Sequence, residues 1–269
     1  MHLLVNGITL NVEVGGAGRP LLLLHGFTGS AAVWPALAAR FAPHRCTVAV
    51  DLIGHGQSDT PADAERYRME QCVADLLALL DTLEIAQTDV LGYSMGGRVA
   101  LQMAATAPAR VSTLILESSS PGLADPAERQ ARIAADEALA DSIERDGLAA
   151  FVDRWEQLPL FASQAALPAD IRARQHTQRL QNNPQGLANS LRGMGTGRQS
   201  SLWDRLPQLR MPALLIVGAL DQKYCAIAEQ MAQALPNVRT VVVPNAGHAV
   251  HLEQPERFAM IVMEFLRIH

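Results

Sequence analysis

Five residues, Gly92-Tyr93-Ser94-Met95-Gly96, constrain this 269-residue chain more than any other feature. They join the apolar stretch Thr88-Asp89-Val90-Leu91 to a helical pattern that starts at Gly97. A serine on so short a link between a buried strand and a helix sits on a very tight turn. Side chains at the two flanking positions would collide there, so glycine on both sides lets the hydroxyl project above the sheet edge.

A serine hydroxyl is too weak an acid to ionise alone near neutral pH, so the turn is chemically useful only beside a base. Downstream, the strand pattern at 213–217 runs through Gly218-Ala219-Leu220 to Asp221, and the one at 240–243 leads into Asn245-Ala246-Gly247-His248. Both residues stand past the carboxyl end of a predicted strand, where open α/β sheets place their sites. His248 is expected to take the Ser94 proton, with Asp221 fixing the imidazole tautomer and stabilising the imidazolium. Upstream, Leu21-Leu22-Leu23-Leu24 runs into His25-Gly26-Phe27. The backbone N–H groups of Phe27 and Met95 are therefore assigned as oxyanion donors. His25 itself reads as a buried support, and residues 48–59 as scaffold.

The order Ser, Asp, His resembles that of the α/β-hydrolases. The expected fold class is α/β, a mostly parallel sheet with an N-terminal antiparallel hairpin turning at Asn6-Gly7. Strands are predicted at 3–5, 9–14, 21–24, 47–51, 89–91, 113–117, 213–217 and 240–243, with amphipathic helices at 70–83, 96–106 and 255–267. Between them, 118–210 has no convincing strand and reads as helices at 127–145, 148–155 and 187–194, broken at Pro159, Pro168 and Pro184. Such an insertion after the sixth strand is expected to be an all-helical lid, with 1–117 and 211–269 forming the core.

A net charge of −5 gives no global attraction to nucleic acid or to anionic membranes. No stretch is apolar and long enough to span a bilayer. Three widely spaced cysteines without a C-x-x-C pair suggest free thiols and a cytoplasmic address. The pair His248 and His251 lacks a third ligand, so metal catalysis is not expected, and no cofactor motif is present. Lys223 is the single lysine, and every other strongly basic side chain is arginine. A guanidinium holds a carboxylate bidentately, which makes individual arginines the expected readers of an anionic substrate. Arg98, one helical turn after Ser94, leads them, followed by Arg132 and Arg179 in the lid.

The segments 92–98, 120–123 followed by Arg132, 155–163, 193–197, 218–224 and 246–251 together resemble the 2-succinyl-6-hydroxy-2,4-cyclohexadiene-1-carboxylate synthases of menaquinone biosynthesis. The likeness extends over nearly the whole chain, and the Tyr-Ser-Met-Gly-Gly-Arg run and the lid motifs discriminate most. It implies a carbon–oxygen lyase in which the triad works as a base and eliminates pyruvate from an enolpyruvyl-bearing cyclohexene carboxylate. It further implies that Tyr93, Arg98, Arg132, Trp155 and Arg179 bind the carboxylates of a small polycarboxylate substrate. The protein is expected to be a monomer or weak homo-oligomer. The competing reading is a serine hydrolase of esters, thioesters or a carbon–carbon bond, with Ser94 as a covalent nucleophile. A non-catalytic binding scaffold is disfavoured, because such a module needs no base at Ser94.

Overall fold

The computed structural model describes residues 1–269. The chain opens with an antiparallel hairpin, β1 (His2–Val5) and β2 (Ile8–Gly16), before β3 (Arg19–Leu24), α1 (Pro35–Phe41) and β4 (Arg45–Val50). Then come α2 (Met69–Thr82), β5 (Thr88–Tyr93), α3 (Met95–Thr106) and β6 (Val111–Glu117). Four helices follow without an intervening strand: α4 (Pro126–Asp146), α5 (Leu148–Glu156), α6 (Ala169–Arg179) and α7 (Pro184–Met194). The chain closes with β7 (Ala213–Gly218), α8 (Gln222–Ala234), β8 (Val238–Val243), α9 (Val250–Glu253) and α10 (Pro255–Ile268).

All eight strands lie in one sheet in the order β1-β2-β4-β3-β5-β6-β7-β8. The β1–β2 and β2–β4 pairings are antiparallel and the others parallel, as the sequence led one to expect. Alternation within each strand fills two cores. Leu22, Leu24 and Val90 face α2 and α3, whereas Leu21, Leu23 and Leu91 face α1 and α10. On α10, Phe258, Ile261, Val262 and Phe265 form the buried stripe that an amphipathic helix requires.

Every predicted strand is present, most extended by a residue or two. Pro184 stands in the first turn of α7, where its missing N–H costs no hydrogen bond, and Pro168 caps α6. The cysteines are unpaired, and no helix is long and apolar enough to cross a membrane.

Candidate active site

Ser94 joins β5 to α3 with φ 50° and ψ −107°, a backbone conformation that a non-glycine residue keeps only when its surroundings impose it. A Cβ on Gly92 would run into the carbonyl of Gly96, and one on Gly96 into that of Leu24. The close approach of turn to sheet therefore needs both glycines. Ser94 N–H donates to the Glu117 carbonyl at 2.8 Å, which anchors the turn to the end of β6.

His248 Nε2 lies 3.0 Å from Ser94 Oγ, and His248 Nδ1 lies 2.7 Å from Asp221 Oδ2. A carboxylate only accepts, so Nδ1 carries the hydrogen and Nε2 is free to receive the serine proton. Asp221 also caps α8 by accepting the Tyr224 N–H at 3.2 Å, which fixes its carboxylate. Glu253 holds the histidine loop by accepting from the N–H groups of Gly247 and Ala249 at 2.7 and 3.3 Å. The N–H groups of Phe27 and Met95 donate to no protein acceptor. Both are therefore free to donate to a bound oxygen.

The loop that carries Phe27 is held from below. His25 Nε2 accepts the Leu52 N–H at 3.0 Å, so Nδ1 is the protonated nitrogen and donates to the Gly26 carbonyl at 2.8 Å. Burial pushes the His25 pKa down, in keeping with this neutral tautomer. Asp51 accepts from Asn11, Gln57 and the Ala31 N–H, so the 48–59 segment is scaffold, as read from the sequence.

A cavity of about 140 Å³ opens over the serine. Ser94, His248, Phe27, Met95, Tyr93, Arg98, Arg132 and Trp155 all line it. Lys223, Tyr224 and Phe161 join them. Three of the lining side chains are cationic and none is acidic, although the whole chain is net negative. Arg98 is buried, and its Nη1 donates to the Met194 carbonyl at 2.8 Å and to Gln199 Oε1 at 3.0 Å. Burial lowers its pKa to about 10, which leaves it charged at neutral pH. Arg132 pairs with Asp136 at 2.8 Å. The Trp155 ring packs against Phe27 and Phe161, and its indole N–H is buried without a protein partner.

Arg179 is placed differently. It lines a smaller neighbouring cavity behind Tyr93 and Phe161, pairs with Glu156 at 2.6 Å and lies 5.6 Å over the Phe161 ring. The structure thus brings eight of the ten sequence-selected residues around one space, sets Asp221 behind His248, and leaves Arg179 beyond its wall. Sequence reasoning passed over Tyr224, whose ring centroid is 4.6 Å from that of His248. It noticed Lys223 as the single lysine without giving it a role.

The chain matches the alpha/beta hydrolase fold family over residues 19–255. It is 33% identical over 257 residues to the 2-succinyl-6-hydroxy-2,4-cyclohexadiene-1-carboxylate synthase of Serratia proteamaculans, which spans 95% of this chain and 96% of that protein. A Bacillus subtilis protein provisionally named for the same activity is 49% identical over 94% of this chain and 92% of its own length. The chain belongs to this synthase family. Among solved structures, MenH from S. aureus superposes with a TM-score of 0.92 at 33% identity, covering 96% of this chain and 97% of that one. An esterase from Thermogutta terrifontis superposes at 0.87 with 28% identity, covering 99% and 98%. Fold likeness alone therefore does not separate synthase from esterase chemistry, and the cavity lining has to decide.

Proposed function

We propose that this chain eliminates pyruvate from 2-succinyl-5-enolpyruvyl-6-hydroxy-3-cyclohexene-1-carboxylate to give 2-succinyl-6-hydroxy-2,4-cyclohexadiene-1-carboxylate, a step of menaquinone biosynthesis. The observation that carries this reading is the joining of an intact triad to a cavity lined by Arg98, Arg132 and Lys223 without a carboxylate. A substrate bearing three carboxylates suits such a lining, whereas a neutral ester would leave the buried Arg98 guanidinium without an anionic partner; Arg132 already pairs with Asp136, and Lys223 is exposed.

The chemistry follows from the geometry. Ser94 Oγ, with its proton passed to His248, removes the proton on the ring carbon next to the succinyl ketone. The N–H groups of Phe27 and Met95 hold the resulting enolate oxygen. As the carbonyl re-forms, the electron pair shifts through the ring double bond and expels enolpyruvate, which gains a proton and becomes pyruvate. Tyr93, Arg98, Arg132 and the free indole N–H of Trp155 bind carboxylates, and Asp221 stabilises the imidazolium. Arg179 would reach the substrate only by leaving Glu156.

At about 140 Å³ the cavity is smaller than the ~300 Å³ at which pockets for drug-sized ligands begin. The helical segment 118–210 accordingly acts as a lid that opens for entry and closes to exclude water, over a core formed by 1–117 and 211–269. A cytoplasmic address suits both the substrate and the free thiols. The test is to incubate purified enzyme with the enolpyruvyl intermediate and follow pyruvate together with conjugated-diene absorbance. The two should rise in step. Rapid hydrolysis of simple esters with no pyruvate released would replace this reading with a hydrolase.

A further inference from the structure

Behind the triad lies a second buried pair that the mechanism does not use. Glu117, the last residue of β6, is fully buried, and its carboxylate accepts from both the backbone N–H and the Nδ1 of His251 at 2.9 Å. The same residue's carbonyl takes the Ser94 N–H at 2.8 Å. One residue thus grips the nucleophile turn with its main chain and the histidine-bearing loop with its side chain. The His251 ring meets Tyr93 edge-on at 4.6 Å between centroids, and Tyr93 in turn lies 5.5 Å from the His248 ring. Trp34 and Phe258 close the far side of His251 at 5.1 and 6.0 Å.

We infer that Glu117 and His251 are positioning residues that set the Ser94–His248 separation, by tying the end of β6 to α9 across the back of the nucleophile turn. The physical need is specific. Ser94 comes from β5 and His248 from the loop after β8, two strands that are not neighbours in the sheet, so no backbone ladder fixes the distance between them. Glu253 restrains the histidine loop internally, whereas, apart from the His248–Ser94 bond itself, the hydrogen bonds that tie that loop to the serine turn run through Glu117. A misplacement of about 1 Å between reacting groups costs on the order of a hundredfold in rate.

The test compares His251→Phe, which keeps the ring but loses Nδ1, with His251→Asn, whose amide nitrogen falls near the place of Nδ1. Two readouts are taken, pyruvate release and the rate at which a fluorophosphonate probe labels Ser94. We expect His251→Phe to lower kcat and the labelling rate together, by roughly 10- to 100-fold, with KM within about twofold of the parent. His251→Asn should recover most of both losses. Labelling needs an aligned Ser94 and His248 but no native substrate, so it tests the positioning role even if the lyase reading fails. If His251→Phe does not fold, Glu117→Gln beside His251→Asn gives the same comparison, because the amide removes the charge and puts an NH2 donor where Oε2 accepts from Nδ1. Unchanged kcat and labelling in a folded variant would overturn the inference. So would a rise in KM alone, which would mean that His251 contacts the substrate from its cavity side, or an Asn variant no better than Phe.

Discussion

At the scale of single residues, the proposed chemistry divides the site into a proton-transfer unit and charge readers around it, and the two parts should respond differently to mutation. Ser94 and His248 share one hydrogen bond, at 3.0 Å, so removing either disables the same step. Ser94→Ala and His248→Ala should each lower kcat by about a thousandfold or more, and the double variant should be little worse. Losses that multiply would show that the two do not act as one unit. Arg98 is a harder case, because its guanidinium faces the cavity and also holds the Met194 carbonyl and Gln199. Truncation to alanine would leave both the substrate carboxylate and two protein acceptors without their donor. A charged hydrogen bond lost in this way is worth about 1.5–3 kcal/mol, so Arg98→Ala should lower kcat/KM by roughly 10- to 100-fold. Arg98→Lys should recover only part, since an ammonium cannot reproduce the planar fork. Turnover of a neutral ester separates the two roles. It should be nearly unaffected in Arg98→Ala if the guanidinium reads a carboxylate, and should fall equally if Arg98 mainly ties α3 to the helices above.

At the scale of elements, α4 and α7 share a buried apolar cluster that includes Ile143, Leu187 and Leu191, and one side chain adds an ionic network at its edge. Arg192 on α7 reaches Glu137, Asp141 and Glu144 along α4, at 2.8, 2.6 and 2.7 Å. These carboxylates raise the Arg192 pKa, yet all three are substantially exposed, so solvent screens much of the gain. Arg192→Ala is expected to destabilise by about 1 kcal/mol and to speed proteolysis between 118 and 210 more than in the core. High salt should narrow the difference, and a Tm deficit unchanged in 1 M salt would rule out the ionic account. How far such elements could be read in advance depended on what each one buries. The strands were legible because β3 and β7 are buried on both faces and read as unbroken apolar runs. α6 was not, because no residue of it is buried and its sequence carries no apolar stripe. α1, at seven residues, is too short to show a period. In the site, the triad was readable because each member follows a strand end, whereas the Glu117–His251 pair spans 134 positions and leaves no local signature. Arg179 shows the remaining difficulty. Sequence placed it in the inserted segment, but only packing reveals that Glu156 holds it and that Phe161 lines the wall between its cavity and that of the serine.

At the scale of the whole molecule, the loop that carries Phe27, the ends of β3 and β4 and the segment above them meet on two buried imidazoles. His25 and His55 lie 5.1 Å apart between ring centroids, both nearly without solvent contact. Asn182 closes the assembly from the lid side, donating to the Thr28 carbonyl at 2.9 Å and accepting the Gly56 N–H at 3.0 Å. His55 Nδ1 lies 3.1 Å from the Ile53 carbonyl, and its Nε2 is buried with no partner. Desolvation, reinforced by His25, pushes the His55 pKa down from 6.5 to about 3, and burial lowers His25 as well. The sign of the linkage follows from these directions. Below pH 6.5 the unfolded chain binds protons at these positions that the folded chain refuses, so the stability they contribute is complete above that pH. It is then lost as the pH falls, at up to about 1.4 kcal/mol per unit for each imidazole, and for His55 the loss continues to about pH 3. Denaturant unfolding should therefore give a nearly constant stability from pH 8 to about 7 and a decline from about 6.5 to 5, above the range in which ordinary carboxylates titrate. His55→Asn keeps a donor near the Ile53 carbonyl but cannot take up a proton. Relative to the parent it should regain roughly 2 kcal/mol between pH 6.5 and 5, whatever its stability at pH 8. Parallel pH profiles for the two proteins would mean that His55 is accessible to protons in the folded state, and that the acid sensitivity of the Phe27 loop arises elsewhere.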